Sequence, residues 1–409
     1  MIVRTIRETE LKRVQEFCAL AFEYGMKDSQ RTPQEVYEQT VANPRTRQDL
    51  NWQSQWAAFE DDDRTMMSTF TVIPYRARFD GHDMLMMGVG GVSTLPQYRR
   101  RGGIRACFES ALPDMYAQGA AFSYLYPFST AYYRKFGYEL GCERNVYRLL
   151  LSGMPNVSVN GQCALLEPGA DMKAEIRRVY EVWQNRYNLM TIDGDIEYRW
   201  IDEANPFRDQ EYTYLYRSAD QSPKGYVSFK LLVEGNERNL LCTRFCFVDL
   251  EGFWGLVGLL VSTAADHKYA MLHLPVDVQL GPLLPEWSFG TVQCTREQCG
   301  MARVVDVERV LRMARMRGTG SITLEISDPQ ISRNNGCFEA VFESGVTTEV
   351  RPTGKTPEMR MSIQDFSSLI IGRYDTEALS SFQNVTVDCT LEKAAQVFYR
   401  KPLYINRYF

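Results

Sequence analysis

The sequence has no long hydrophobic run. A transmembrane helix needs about 18 or more consecutive apolar residues, and even the most apolar stretch of these 409 residues, from Phe253 to Val261, is shorter. The first residues, MIVRTIRETELKRVQEF, also lack the apolar core of a signal peptide. We therefore expect neither a membrane span nor export, and predict a cytoplasmic protein.

Histidine is scarce, and the cysteines do not form a metal-binding pattern. The three histidines are His82, His267 and His273. The most closely spaced of the ten cysteines are the pairs Cys242/Cys246 and Cys294/Cys299, and neither belongs to a paired zinc-type arrangement. Without an export signal, we expect reduced thiols and no metal cofactor.

Nucleic-acid and common nucleotide-binding signals are missing as well. The net charge is −5, which argues against a nucleic-acid partner. The chain contains no G-x-x-x-x-G-K-[ST], and no G-x-G-x-x-G follows a strand. With 44% hydrophobic and 24% charged residues it has the composition of a globular protein. At about 150 residues per domain, its length predicts two or three domains.

The most informative stretch that is present runs from Val92 to Arg105 and reads VSTLPQYRRRGGIR. The mostly apolar residues 84–92 before it predict a buried strand. Apolar residues at helical spacing follow from Ile104 to Tyr116. The stretch therefore connects a core strand to an amphipathic helix.

This connection has the chemistry of an anion site. The first N–H groups of a helix lack internal partners, and a phosphate can accept from them. Gly102 and Gly103 allow close approach of the backbone because they have no Cβ. The positive charges around this point are Arg99, Arg100, Arg101 and Arg105. The alternative is a solvated basic turn before an ordinary helix.

A second segment carries aromatic residues at close spacing. A predicted strand, 121–126, precedes the residues FSTAYYRKFGY of positions 128–138. One alternative is that these aromatics simply belong to a hydrophobic core. A structural role is also expected for Cys107, because its position on the predicted helix indicates a small buried residue rather than a nucleophile.

Three motifs resemble the GNAT acyltransferases, and in particular their Eis (enhanced intracellular survival) branch. Residues 99–104, RRRGGI, resemble the pyrophosphate loop [Q/R]-x-x-G-x-[G/A]; Ile104 departs from it, as is typical of Eis proteins. The ending Y-x-x-F-G-Y of the aromatic segment is similar to the Eis segment that carries an acid tyrosine, here Tyr133. Residues 301–311, MARVVDVERVL, resemble the opening of the sterol-carrier-like domain of Eis proteins.

The resemblance implies an α+β fold with two tandem GNAT-like mixed-sheet domains and a C-terminal sterol-carrier-protein-like α/β domain. The expected domains are a catalytic GNAT domain at 1–151, a degenerate GNAT-like domain at 157–295 and the third domain at 300–409. The order of predicted strands and helices in the second domain repeats that of the first, which suggests an internal duplication. Where the first domain has arginines, the second has Asp249-Leu-Glu251. These carboxylates would either repel a pyrophosphate or cap a helix, and both interpretations leave the second domain without a phosphate site.

The resemblance also implies a reaction. Acetyl-CoA would be the co-substrate, and the implied binding residues are Val92, Ser93, Thr94, Arg99, Arg100, Arg101, Gly102, Gly103, Ile104, Arg105, Phe128 and Ser129. In Eis-like enzymes the C-terminal carboxylate, here that of Phe409, is the general base, and Tyr133 would be the acid. The alternative for the aromatic tail is that Tyr404, Ile405, Tyr408 and Phe409 dock it on a core. The implied mechanism is direct transfer, with no metal.

The expected function is N-acetylation of an amine, on an aminoglycoside, lysine or polyamine-like acceptor. Residues that could face the acceptor are Glu23, Tyr24, Trp52 and Trp56, for which surface or core roles are the alternative. Eis-like chains commonly form hexamers, so we expect a homo-oligomer. Two other possibilities stay open at this point: an enzyme with a longer acyl donor, and a non-catalytic sensor that binds acyl-CoA or lipid.

Overall fold

A computed structural model describes residues 1–26, 30–42, 55–155, 160–195, 197–284, 287–288 and 290–408. These residues form two compact units. Unit 1 contains residues 1–142, 300–401 and 406–408, and unit 2 contains residues 143–299 and 402–405. No helix among the described residues has the length and apolarity to cross a membrane.

The first 142 residues supply most of the sheet of unit 1. Their elements are β1 (Ile2–Thr5), α1 (Leu11–Ala21), α2 (Pro33–Ala42), β2 (Gln55–Phe59), β3 (Met66–Phe79), β4 (His82–Thr94), α3 (Gly103–Ala117), β5 (Phe122–Leu125) and α4 (Thr130–Arg134). Strands β1 to β4 are antiparallel neighbours, whereas β4 and β5 run parallel. The carboxyl ends of β4 and β5 therefore lie at the same edge of the sheet.

Helices α1 and α3 cover opposite faces of this sheet. On β2, Ala58 contributes to the core under α3, whereas its neighbours Ala57 and Phe59 contribute to the core under α1. This alternation follows from the two-residue period of a strand. The helical spacing that predicted α3 is confirmed, since Ile104, Cys107 and the other apolar residues of its periodic face are buried.

Unit 2 contains strands and helices that follow one another in the same order. The elements from residue 139 to residue 304 are β6 (Glu139–Leu150), β7 (Gln162–Leu165), α5 (Lys173–Gln184), α6 (Arg199–Glu203), α7 (Pro206–Asp209), β8 (Glu211–Arg217), β9 (Pro223–Glu234), β10 (Glu237–Phe247), α8 (Leu250–Ser262), β11 (Tyr269–Pro275) and β12 (Val292–Val304). The first residues of β6 and the last residues of β12 belong to unit 1. Strands β7 to β10 are antiparallel, β10 and β11 are parallel, and β6 is antiparallel to β11.

The same directions occur in unit 1, where β12 is the antiparallel strand next to β5. In each unit one helix connects the two parallel strands, α3 in unit 1 and α8 in unit 2. The repeated order of strands and helix that the sequence predicts is therefore present.

The C-terminal residues add a five-stranded sheet to unit 1. Their elements are α9 (Val307–Met313), β13 (Gly320–Ser327), β14 (Gly336–Glu343), β15 (Val346–Pro352), β16 (Met359–Ser362), α10 (Ile363–Ile370), β17 (Thr386–Val387) and α11 (Leu391–Val397). The strand order is β15-β14-β13-β16-β17. A buried ion pair, Arg303 on β12 with Asp328, connects this part to the first sheet of unit 1, with a nitrogen–oxygen distance of 2.8 Å. The predicted domain start at residue 300 falls within β12, whose residues 301–304 pair with β5.

Candidate active site

The end of β4 departs from regular strand pairing. Thr69 is opposite Ser93, and Thr71 is opposite Gly90, so β4 has one extra residue between these pairs. Gly91 lies in this bulge with φ +62°, a backbone conformation that glycine adopts without steric cost. The parallel pairing of β4 with β5 ends at Val89, and residues 90–94 continue beyond it. Their backbone groups are therefore not used in a ladder with β5.

Helix α3 begins at the loop that follows β4, and its N-terminus has no side-chain cap. The N-cap residue is Gly102, with φ +83°, and no side chain of the described residues caps the first N–H groups of the helix. Gly103 packs closely on β3, because a Cβ at this position would lie 2.4 Å from Ser68 Oγ. Ile104 is only 6% exposed and belongs to the core under α3. This burial explains an apolar residue where the GNAT loop usually has Gly or Ala.

The four arginines of the loop are exposed but differ in their partners. Arg101 forms an ion pair with Glu60 at 2.8 Å and lies over the Tyr98 ring. Among the described residues, Arg99, Arg100 and Arg105 have no carboxylate partner. Three unpaired guanidinium groups thus surround a helix N-terminus that carries partial positive charge. This combination can bind a diphosphate through hydrogen bonds and charge.

The corresponding helix of unit 2 is closed to anions. The Asp249 side chain is the N-cap of α8 and accepts a hydrogen bond from the Gly252 N–H at 3.0 Å. Lys224 forms an ion pair with the same carboxylate at 2.7 Å. Of the two interpretations of the D-L-E segment, capping is therefore the one observed, and an anion would meet a carboxylate here.

Tyr133 lies on α4, next to α3, and is 2% exposed. Its ring centroid is 6.2 Å from that of Phe108 and 5.3 Å from that of Phe128. The ring thus belongs to the core, as the alternative held, and burial raises the pKa of its phenol above the ordinary value. In the part of the chain that the structure describes, no hydrogen bond occupies its hydroxyl, whereas Tyr138 shares one with Ser123 at 2.7 Å.

The neighbours of Tyr133 have distinct positions. Tyr132 is half-buried, its hydroxyl has no hydrogen-bond partner among the described residues, and the charge of Arg105 acts on it. Phe128 is 73% exposed, as a residue that lines an open site would be. The Ser129 side chain caps α4 by accepting from the Tyr132 N–H at 3.3 Å. This cap gives Ser129 a structural role beside the predicted binding role.

The chain end approaches the carboxyl end of β5. The hydroxyl of Tyr126, the residue after β5, donates to the Arg407 carbonyl at 2.5 Å. The Tyr408 ring is 79% exposed and its centroid is 4.5 Å from that of Tyr126. Tyr404 and Ile405 are buried, which confirms docking for that part of the tail. Phe409, the predicted base, lies outside the described residues.

The predicted acceptor residues are dispersed. Glu23 and Tyr24 are exposed after α1. Trp56 is partly buried against the core under α3, which supports its core role. Trp52 lies outside the described residues.

The sequence did not reveal a polar cluster at the β4 bulge. The Thr71 hydroxyl donates to Gln55 Oε1 at 2.6 Å, and both side chains are buried. The Ser93 hydroxyl donates to the Gly91 carbonyl at 3.0 Å and also contacts the Cys18 thiol. No local motif identifies this cluster, because its residues come from three strands and α1. It could have been predicted only if the register of the strands were known.

Neither a metal site nor a disulfide occurs among the described residues. In the ranges that the structure describes, no group of three or more His, Cys, Asp or Glu side chains could hold a metal ion. All ten cysteines are free thiols. Cys107 is buried, and burial raises its pKa to about 12, so it is the small buried residue that its periodicity predicts.

Two protein-family models match parts of the chain. Residues 2–141 match the model of the acetyltransferase (GNAT) domain. The chain carries a GNAT acetyltransferase domain. It is accordingly an enzyme of the acetyltransferase class. Residues 307–406 match the sterol carrier protein domain, so the GNAT domain is followed at the C-terminus by a sterol-carrier-like domain, as the fold resemblance implies.

Solved structures resemble the whole chain and not only the GNAT domain. A probable N-acyltransferase from Enterococcus faecalis is 22% identical with a TM-score of 0.84, and the match covers 100% of this chain and 99% of the other. A GCN5-related N-acetyltransferase from Anabaena variabilis is 18% identical with a TM-score of 0.83, and Eis1 from Mycobacterium abscessus is 18% identical with a TM-score of 0.79; both matches cover 100% of each chain. At these identities the likeness establishes a common fold. A sequence search of curated proteins finds no match.

Proposed function

We propose that this protein is an Eis-like N-acetyltransferase that transfers an acetyl group directly from acetyl-CoA to an amine. The acceptor class is an aminoglycoside, lysine or polyamine-like amine. The observation that carries the proposal is the uncapped N-terminus of α3, which lies beside three arginines without a carboxylate partner among the described residues. In the second turn of the same helix, Phe108 packs against Tyr133. These features combine a candidate anion site with a tyrosine whose hydroxyl has no hydrogen-bond partner among the described residues.

The residues at this site fit coenzyme A. Its diphosphate needs several N–H donors and positive charge, which Gly102, Gly103 and the unpaired Arg99, Arg100 and Arg105 supply. The uncovered backbone of Val92, Ser93 and Thr94 can bind an extended amide-containing arm. An N–H group there can also stabilise negative charge that develops on a thioester oxygen. The bound co-substrate supplies an activated acyl group.

Tyr133 is the acid in this proposal. A phenol with a pKa near 10 or above is protonated at neutral pH and can donate to a departing thiolate. Burial raises the pKa of the Tyr133 phenol, which makes it a weaker acid. The same burial also raises the pKa of the thiol that departs nearby. Because the pKa of the phenol and the pKa of the thiol rise together, proton transfer between them stays feasible.

The α-carboxylate of Phe409 is the proposed base. A free α-carboxylate has a pKa of about 3.3–3.7 and is weak against an ammonium group near 10. The proposed site therefore has to lower the pKa of the amine by desolvation or raise that of the carboxylate. The contacts of Arg407 and Tyr408 with Tyr126 support this role, because they hold the preceding residues at the carboxyl end of β5.

Three further features belong to the proposal because the Eis resemblance implies them. The domains are the catalytic domain at 1–151, the degenerate GNAT-like domain at 157–295 and the sterol-carrier-like domain at 300–409. The protein acts in the cytoplasm, and it assembles as a hexamer. Light scattering of the purified protein measures the assembly state directly.

The primary test is an acetyl-transfer assay with a panel of amines. Release of the coenzyme A thiol is measured with an aminoglycoside, a polyamine and a lysine peptide, and the acetylated product is identified by mass. We expect turnover with at least one amine and a large loss in Tyr133→Phe, about 10²–10⁴-fold in kcat. Tyr132→Phe is the matched control and should keep most of the activity. Equal losses in both variants would contradict the role of Tyr133.

A second test addresses the carboxylate base and the sensor alternative. Extra residues appended after Phe409 convert its α-carboxylate into a peptide carbonyl. We expect this extended protein to lose turnover and to keep its affinity for acetyl-CoA. Acetyl-CoA binding without turnover in the unmodified protein would favour the sensor, and a clear preference for a longer acyl donor would replace the acetyl assignment.

A further inference from the structure

We propose that the C-terminal domain positions Tyr133 through the side chains of Gln364 and Gln330, which hold the end of α4. This inference rests on the proposed function, because it assigns these glutamines a role in the acid step. It gives the sterol-carrier-like domain a catalytic contribution that is separate from its C-terminal carboxylate. All residues involved belong to unit 1.

Helix α4 needs support from outside because it is very short. It comprises Thr130–Arg134, and an isolated helix of this length is unstable in water. Its last turn ends at Gly137, with φ +84°. The Gly137 N–H donates to the Arg134 carbonyl at 3.1 Å, which leaves that carbonyl with a second lone pair and the Lys135 carbonyl without a helical donor.

The two glutamines donate to these carbonyls. Gln364 Nε2, in the first turn of α10, donates to the Arg134 carbonyl at 2.9 Å. Gln330 Nε2 donates to the Lys135 carbonyl at 3.4 Å. Both bonds connect residues nearly 200 or more positions apart in sequence, so the C-terminal domain acts as the C-cap of a helix that it does not contain.

The Gln330 donor is itself fixed by a buried network. The Asp328 carboxylate accepts hydrogen bonds from the Gln330 N–H at 2.9 Å and from Asn334 Nδ2 at 2.8 Å. It is also paired with Arg303, and both side chains of that pair are 0% exposed. Arg303 donates to the Asp328 carboxylate through both terminal nitrogens, whereas its buried Nε has no hydrogen-bond partner among the described residues. Hydrogen bonds between buried charged groups are strong, so this network restricts the turn that carries Gln330.

The same ion pair supports α4 from below. A Cβ added at Gly137 would lie 3.0 Å from Arg303 Cζ and 3.0 Å from Ile363 Cγ2. The backbone after α4 therefore rests directly on the guanidinium group and on the residue before Gln364. Together these contacts hold α4 in one position on the core. Because Tyr133 is part of α4, its hydroxyl moves with that helix.

The geometry matters because proton transfer requires hydrogen-bond distance. A displacement of about 1 Å away from the chemistry can cost on the order of 100-fold in rate. The removal of one carbonyl contact allows α4 to shift or fray without unfolding the core. The expected consequence is a lower kcat with little change in acetyl-CoA affinity.

The test uses the full chain and Gln364→Met, which keeps the length of the side chain and removes the donor. We expect kcat to fall by about 10-fold while the dissociation constant for acetyl-CoA changes less than 2-fold, the smaller loss reflecting a partial displacement. Hydrogen exchange of the amides in residues 131–138 should become faster. The control is Lys393→Met, which removes a partly buried ion pair with Glu358 in the same domain and should change neither quantity.

A double variant separates positioning from general stability. If Gln364 acts through the Tyr133 hydroxyl, Gln364→Met should cause no further loss of kcat in a Tyr133→Phe background. A full 10-fold loss in that background would overturn the inference, as would unchanged exchange in residues 131–138. Gln330→Met is the second variant and should repeat the pattern with a smaller effect, because its bond is longer.

The exchange measurement keeps this inference distinct from the proposed function. Faster exchange around α4 without any transferase activity in the unmodified protein would contradict the proposed function and also the catalytic role of the glutamines. Normal activity in Gln364→Met together with faster exchange would contradict only the positioning role.

Discussion

At the scale of single residues, the arginine loop shows how partners decide function. Arg101 is one of the four basic residues of the cluster, but its guanidinium is already paired with Glu60. The sequence shows four equivalent charges, whereas the structure leaves Arg99, Arg100 and Arg105 unpaired within the described ranges. We therefore expect the arginines to contribute unequally to co-substrate binding.

Neutral substitution of the unpaired arginines tests this expectation. Arg99→Gln and Arg105→Gln should each weaken acetyl-CoA binding by about 10-fold, because a hydrogen bond to a charged group contributes about 1.5–3 kcal/mol. Arg101→Gln should have a smaller effect, since the Arg101 guanidinium is already paired with Glu60 and is less available to the diphosphate. Titration calorimetry at two salt concentrations measures the affinities. An acetyl thioester that lacks the diphosphate serves as the control substrate and should lose nothing.

The pH dependence of the reaction tests Tyr133 at the same scale. The phenol must be protonated to donate, and burial raises its pKa above the ordinary value near 10. The acid form therefore persists as the pH rises to 10, and Tyr133 should cause no decrease in kcat below that pH. A pH–rate profile measures this. An alkaline decrease between pH 7 and 9 that disappears in Tyr133→Phe would contradict the assignment.

At the scale of elements, the two units share a strand–helix–strand arrangement but differ at the N-terminus of the helix. Helices α3 and α8 both connect two parallel strands, and both begin at the carboxyl end of the preceding strand. The N-cap of α3 is a glycine and the N-cap of α8 is an aspartate. One helix end thus remains open to an external anion, whereas the other is satisfied by its own chain.

Substitution of the α8 cap should affect stability but not co-substrate binding. Asp249→Ala removes the bond to the Gly252 N–H and should cost about 1 kcal/mol in the free energy of unfolding. Acetyl-CoA should bind with a stoichiometry of one per chain in both proteins. Chemical denaturation and calorimetry provide the two readouts. A second binding event in the unmodified protein would show that unit 2 also binds the co-substrate.

At the scale of the whole molecule, buried charges connect parts of unit 1 that are distant in sequence. Lys401 Nζ pairs with Asp80 Oδ2 at 2.5 Å, and the two side chains are 2% and 7% exposed. Asp80 lies at the turn between β3 and β4 and also accepts from the Arg315 N–H at 2.7 Å. Burial lowers the pKa of Lys401, while Asp80 opposes this shift.

Breaking this pair should be more damaging than removing it. Lys401→Met leaves a buried carboxylate without its cation and should lower the free energy of unfolding by about 3–5 kcal/mol. The double variant with Asp80→Asn removes the uncompensated charge and should recover most of that loss. Unfolding in denaturant, followed by circular dichroism, measures both. A double variant as unstable as the single one would show that the charge itself is not the cause.

The sequence by itself predicted the elements and the anion loop. Local signals carry this information: hydrophobic periodicity identifies α3 and β4, and glycines and arginines in a strand–helix connection identify the loop. These patterns depend on neighbours within about ten residues, and the strand and helix bounds agree with them to within a few positions, as in β4, α3 and β5.

Tertiary structure alone decided which groups are available. The pairing of Arg101 with Glu60, the bulge at Gly91 and the bonds from Gln364 and Gln330 to α4 join residues from separate strands and helices. Such contacts depend on register and on the packing of distant segments, which no local pattern encodes. The residues of the proposed site are therefore readable in the sequence, whereas their geometry arises only when the chain folds.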